Sequence, residues 1–218
     1  MSNICIFASE IAGLLGYFEK YNKSSEMFLD RVKSRNFGNR NNIKKAIKKI
    51  ESGENTDDIN EEVLKFAYID IKNKQDNDAV KKIVEDIKNN KSVENKNIDL
   101  VFRAKGIVGE EKYLIPNVEK SQQSYRKKID NITFYGKIDG FKDNELIEFK
   151  NRQNGNYING PRIYEKPQLL CYMFLTGLDH ITFIECFDGI QYKSIYYFDE
   201  IEWNDIVKKI KIIIGQLY

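Results

Sequence analysis

Apolar residues recur at helical spacing through the first half of the chain and alternate with polar ones through much of the second, the change falling near residue 120. Ser9 reads as the N-cap of a helix through Glu10-Ile11-Ala12-Gly13-Leu14-Leu15 that ends near Gly16. Ser24 or Ser25 starts a second, carrying Met27, Phe28, Leu29 and Val32. Ile43, Ala46, Ile47 and Ile50 mark a third, with lysines over its other face. After Gly53, Asp57 or Asp58 caps a helix with Ile59, Val63, Leu64 and Ala67, and a separate one holds Ala79, Val80, Ile83, Val84 and Ile87. Asn89 to Asn97 reads as a loop, and Ile98 to about Tyr113 as a helix stopped by Pro116.

Beyond that point the pattern predicts strands around one helix. Tyr125 to Ile129 and Ile132 to Ile138 flank the turn Asp130-Asn131, and Leu146 to Phe149 follows Lys142-Asp143-Asn144. Gly155 to Gly160 is read as a loop. Tyr164 to Leu175 is read as a helix with Pro167 in its first turn, where a missing N–H does little harm. His180 to Phe187 and Gln191 to Phe198 pair across Asp188-Gly189, and a last helix runs from about Ile201 to Leu217. The fold expected is one domain over 1–218, a mostly helical part (1–118) packed on an α/β core (119–218).

Composition adds limits. Hydrophobic residues at 41% and aromatics at 12% exclude a disordered chain, and 31% charged residues with three prolines fit a helix-rich one. Thirty-five basic against thirty-three acidic residues leave a net charge of +2, so nucleic-acid binding would need a local patch; most lysines read as solvated surface. Three cysteines without a C-x-x-C pair suit neither a disulfide framework nor a zinc or iron–sulfur site. The start lacks the basic and apolar runs of a signal peptide, and nothing approaches the roughly 20 apolar residues of a membrane span. An intracellular (cytoplasmic) protein with no membrane partner is the expectation. The single histidine, His180, reads as structural, and no glycine-rich phosphate loop is present.

The chemistry concentrates in Tyr135-Gly136-Lys137-Ile138-Asp139-Gly140 and Glu145-Leu146-Ile147-Glu148-Phe149-Lys150. Two successive strands each present an acid, and alternation puts Glu148 and Lys150 on one face with Phe149 on the other. Two carboxylates suit Mg²⁺, which prefers oxygen ligands; a bound metal activates water and offsets phosphate charge, and a lysine can orient that water, help deprotonate it or neutralise the phosphate. An amphipathic hairpin shows the same spacing. The apolar neighbours Ile138, Leu146, Ile147 and Phe149 favour the functional reading, because buried acids are costly unless paired or metal-bound.

These residues resemble the PD-(D/E)XK nuclease superfamily, with Lys137-Ile138 standing where the family's proline would be. Gln168-x-x-x-Tyr172 is similar to the Q-x-x-x-Y helix of the lambda exonuclease and RecB branch, and Glu148-Phe149-Lys150-Asn151-Arg152 with Tyr164-Glu165-Lys166-x-Gln168 looks most like lambda-type enzymes of large DNA viruses. The resemblance implies a restriction-endonuclease-like mixed β-sheet core flanked by helices. It implies a Mg²⁺-dependent (or Mn²⁺-dependent) DNA exonuclease in recombination, repair or replication, located in the host cell if viral. Asp139, Glu148, Lys150 and Gln168 would be catalytic. Asp139, Glu148, Glu110 and the Phe149 carbonyl would hold metal, Glu110 through Gly106-x-x-x-Glu110, which reads equally as a helix-surface acid. Ser9, Arg152, Arg162, Lys166 and Tyr172 would meet the nucleic acid. For Ser9 an N-cap role, for the cations ordinary surface charge and for Tyr172 packing are the alternatives. The arginine that precedes the serine in that branch has no counterpart here. DNA, a homo-oligomeric ring and an annealing or replication protein are the partners implied. An endonuclease on the same fold, or a non-catalytic nucleic-acid-binding protein, is the rival expectation.

Overall fold

The computed structural model describes residues 3–93, 97–153 and 159–215. Its first element is one that the helical spacing hides: Ile4–Phe7 is a strand, β1. Four residues are too few to show a period, and its parallel partner, Ile132–Tyr135, lies far along the chain. Helix α1 (Ala8–Leu14) follows directly. Its N-cap is Phe7, not Ser9, and the Glu10 carboxylate accepts the Phe7 N–H at 3.0 Å. Arg35 of α2 (Ser25–Asn36) pairs with Glu10 and lies 3.6 Å over the Phe7 ring, which ties α2 to this corner.

After α3 (Arg40–Ser52), the two helices expected over 57–67 and 79–87 are one: α4 runs from Glu61 to Lys88 and is capped by Asn60, not by Asp57 or Asp58. The polar stretch 72–78 interrupts the apolar period but holds no glycine or proline, so the helix crosses it largely in solvent. The next helix, α5, spans Ile98–Gly109 and then widens into a π turn, Glu110–Leu114.

Strands β2 (Lys120–Ile129), β3 (Ile132–Lys142) and β4 (Glu145–Asn151) all run longer than their alternation marks. They are followed by α6 (Lys166–Thr176), β5 (His180–Phe187), β6 (Ile190–Tyr197) and α7 (Glu200–Gly215). Of the loops expected over 89–97 and 155–160, residues 94–96 and 155–158 lie outside the described residues, as do 216–217 of the last helix.

The six strands form one mixed sheet in the order β1-β3-β4-β5-β6, with β2 on the opposite edge of β3. Pairs β1–β3 and β4–β5 are parallel, the others antiparallel. Helices α1, α6 and α7 cover one face, where Ile6, Phe134, Ile138, Phe183, Leu170 and Trp203 share an apolar cluster. On the other face Leu114 of the π turn packs on Ile147, Phe149, Ile184 and Cys186. The fold is thus α/β, a mixed sheet flanked by helices. Helices α3 to α5 bury smaller clusters of their own along α4. No helix among the described residues is long and apolar enough to cross a membrane.

Candidate active site

One edge of β3 is paired with β2 along its length, whereas the other is divided. There β1 takes Ile132–Tyr135 and β4 takes Gly140–Lys142, so 136–139 have no ladder partner on that side. Continuing the antiparallel register one step past Gly140–Ile147 sets Asp139 opposite Glu148. The strands part at this point, and the Asp139 carboxylate takes up a freed donor, accepting the Phe149 N–H at 2.9 Å. Phe149 itself turns its ring into the opposite apolar cluster, so only its backbone is available to the site.

Glu148 is fully buried, and its Oε1 accepts a hydrogen bond from the Lys150 ammonium, while its Oε2 has no partner. Burial first, then repulsion from Asp139, pushes the Glu148 carboxyl up to about 8. Burial also raises Asp139, with Glu110 adding to it and Lys150 opposing. Burial works against the Lys150 charge, but Glu148 and Asp139 together outweigh it and hold the ammonium above its ordinary value.

Glu110 arrives from the other side of the sheet, at the start of the π turn, a local widening of the kind often found at functional sites. Gly109 lets that turn dock: a Cβ there would stand 2.4 Å from the Asn151 amide, which caps α5 by donating to the Lys105 carbonyl at 2.7 Å. Desolvation, then the charge of Glu148, pushes Glu110 up to about 7. Its carboxylate accepts from Gln122 Nε2 at 3.1 Å. Gln122 sits in mid-strand at φ 56°, at the one step where the β2–β3 ladder is interrupted between Ser121–Gly140 and Gln123–Ile138, a conformation that costs a non-glycine residue roughly 1–3 kcal/mol. Nothing in the sequence marks Gln122; only this backbone conformation exposes it.

Asp139, Glu148 and Glu110 form a crowd of oxygen donors with raised pKa values and an unpartnered buried oxygen, Glu148 Oε2. That set fits a hard divalent cation by donor type and by charge. Among the described residues no three acidic, histidine or cysteine side chains are grouped so as to hold a metal ion as they stand. Lys150 supplies positive charge to Glu148 in this arrangement.

The remaining expected residues divide. Gln168 does not bond Lys150; its Nε2 donates to the Tyr172 hydroxyl at 2.6 Å. Tyr172 is buried, feels the charges of Glu148 and Asp139, and rests on Gly136, where a Cβ would meet its ring at 2.8 Å. It is a packing residue beneath the acids and is not exposed to nucleic acid. Arg152 is likewise turned away from solvent rather than toward a nucleic acid. Its guanidinium is buried between Glu165, at 2.7 and 3.1 Å, and Glu185, at 2.7 Å, so that two carboxylates already balance its charge. Lys166 lies over the Tyr196 ring. Arg162 donates to the Tyr164 hydroxyl at 2.8 Å and keeps a buried Nε–H without a partner. Ser9 is exposed in the first turn of α1, which begins level with Tyr135 of β3.

No family model matches the chain, and no curated protein matches it. Solved structures similar to it include an alkaline exonuclease (LHK-Exo) from Laribacter hongkongensis, at 17% identity over 65% of this chain and 78% of that one, with a TM-score of 0.45. The same exonuclease in complex with dAMP is 14% identical over 97% of this chain and 87% of that one, with a TM-score of 0.47. A protein designated SSO0001 is 16% identical over 64% and 85%, with a TM-score of 0.46. Likeness of this degree is one of outline, and the chemistry rests on the residues themselves.

Proposed function

We propose that the chain is a divalent-metal-dependent deoxyribonuclease, with Asp139, Glu148, Glu110 and the Phe149 carbonyl as metal-holding groups and Lys150 beside them. The observation that carries this is the meeting of Asp139 and Glu148 where β3 and β4 part, with one carboxylate oxygen buried and unpartnered and a lysine on the same face. One lysine cannot neutralise this group of acids, and a buried carboxylate oxygen left without a partner is costly for packing alone. When bound, a divalent cation lowers the pKa of its water and offsets charge building on the scissile phosphate. Lys150, beside Glu148, orients the attacking water, helps deprotonate it or neutralises a phosphate oxygen. Gln168 acts on Tyr172, and through it keeps the floor of the site in place. Of Arg152 and Arg162, Arg162 is the one whose guanidinium is not held by carboxylates, and it stays a candidate for a phosphate contact.

What favours exonucleolytic cleavage is the resemblance of Gln168-x-x-x-Tyr172 to the lambda-type helix. The experiment is digestion of linear and covalently closed circular DNA side by side in Mg²⁺. An exonuclease degrades the linear form from its ends and spares the circle. Nicking of the circle at a comparable rate would make the enzyme an endonuclease, and cleavage of neither would remove the nuclease proposal.

A further inference from the structure

A stripe of cations crosses the outer face of the β2–β3 hairpin and ends at the acids. Residues directly opposite in an antiparallel pair project to the same side of the sheet. The pairs Lys128–Thr133, Arg126–Tyr135 and Ser124–Lys137 therefore share one face, and Lys137 stands two residues before Asp139 on β3. The alternate pairs, Lys127–Phe134 and Tyr125–Gly136, turn to the helix layer: Lys127 Nζ donates to the Phe174 carbonyl at 3.2 Å, and Gly136 lies under Tyr172 and Leu175.

The first face is open. Lys128, Arg126, Ser124 and Lys137 are exposed, and Tyr135, half-buried, donates its hydroxyl to Ser124 Oγ at 2.7 Å. Lys137 is the stripe's last cation, two residues before Asp139 on the same strand. Lysines on an edge strand also serve to block further strand pairing. That role does not explain why the cations continue from the edge strand onto β3 and stop beside Asp139.

We infer that this face is a track for one strand of the DNA substrate, its phosphates held by Lys128, Arg126 and Lys137 and led to the acids. The inference rests on the nuclease reading above and gives that site a direction of approach. From Lys128 to Gln122 the track measures roughly 20 Å at about 3.4 Å per residue, the length of about six base-pair steps of duplex. It also resolves the problem of a net charge of only +2, because the charge that meets the polyanion is local.

The test is fluorescence anisotropy of a short labelled duplex and of its single strand, in EDTA, with Asp139→Asn protein. Arg126→Ala, Lys128→Ala and Lys137→Ala added to it should each weaken binding on the order of fivefold and flatten the salt dependence by roughly one unit per lost contact. Lys127→Ala, one residue away but on the other face, and Lys208→Ala on α7 should leave affinity unchanged. Equal weakening by Lys127→Ala, indifference to all three track substitutions, or no binding at all would overturn the track. Cleavage by the Asp139 parent is scored separately. Face-dependent binding without any cleavage would keep the track and remove the nuclease reading; cleavage with binding indifferent to the three would do the reverse.

Discussion

Asp139 and Glu148 stand opposite one another one step beyond Gly140–Ile147, where the β3–β4 ladder stops, and Asp139 reaches across to accept the Phe149 N–H at 2.9 Å. Two acids, Glu148 buried and Asp139 partly so, are thereby held in a gap that the β3–β4 ladder does not close.

That crowding predicts a pH dependence. Glu148 and Glu110 have folded-state values raised to about 8 and about 7 from an ordinary 4.5, so between these limits the folded protein binds more protons than the unfolded chain. Stability of the metal-free protein is therefore greatest on the acid side of this window, falls as pH rises through it and levels off above it, acid unfolding elsewhere in the chain aside. Melting curves in EDTA across the window should show the fall, and Glu148→Gln should remove much of it. Apparent Mg²⁺ affinity should move the other way, rising with pH as the carboxyls release protons. A flat or rising melting profile would contradict the crowding.

Gln122 offers a test in which backbone and side chain separate. Gln122→Gly relieves the positive φ, whereas Gln122→Ala keeps the strain, so the glycine variant should be the more stable by about 1 kcal/mol. Both lose the amide that holds Glu110, and calorimetry should find Mg²⁺ binding weakened equally in the two. Undisturbed binding in both would place Glu110 outside the metal-holding set.

Arg152→Ala should behave as a stability variant. It leaves Glu165 and Glu185 buried without their counter-charge, a loss of about 3–5 kcal/mol, or on the order of 10 °C in Tm for a chain of this size. A variant that melted like the parent but bound DNA poorly would return Arg152 to the phosphates.

The acids and the lysine were legible because strand alternation and two turns, Asp130-Asn131 and Lys142-Asp143-Asn144, place Asp139, Glu148 and Lys150 from local pattern alone. What stayed hidden depends on partners distant in sequence. The four residues of β1 acquire meaning only against Ile132–Tyr135. Arg152 looks like a surface cation until Glu165 and Glu185 close on it, and Tyr172 looks reachable until α6 settles on Gly136. The continuity of α4 was obscured for the opposite reason. A solvent-exposed polar turn has no apolar period to read, yet nothing in it breaks a helix.

The most direct measurement is single-turnover cleavage of end-labelled linear DNA by wild-type and Asp139→Asn protein, each in Mg²⁺ and in excess EDTA, with Tm recorded for both. The acid pair is expected to supply several kcal/mol of transition-state stabilisation through the metal, so the substitution or the chelator should slow cleavage by roughly a thousandfold or more. The Tm of Asp139→Asn should stay at or above that of the wild type. Cleavage that continues undiminished in EDTA, or in folded Asp139→Asn, would contradict the account.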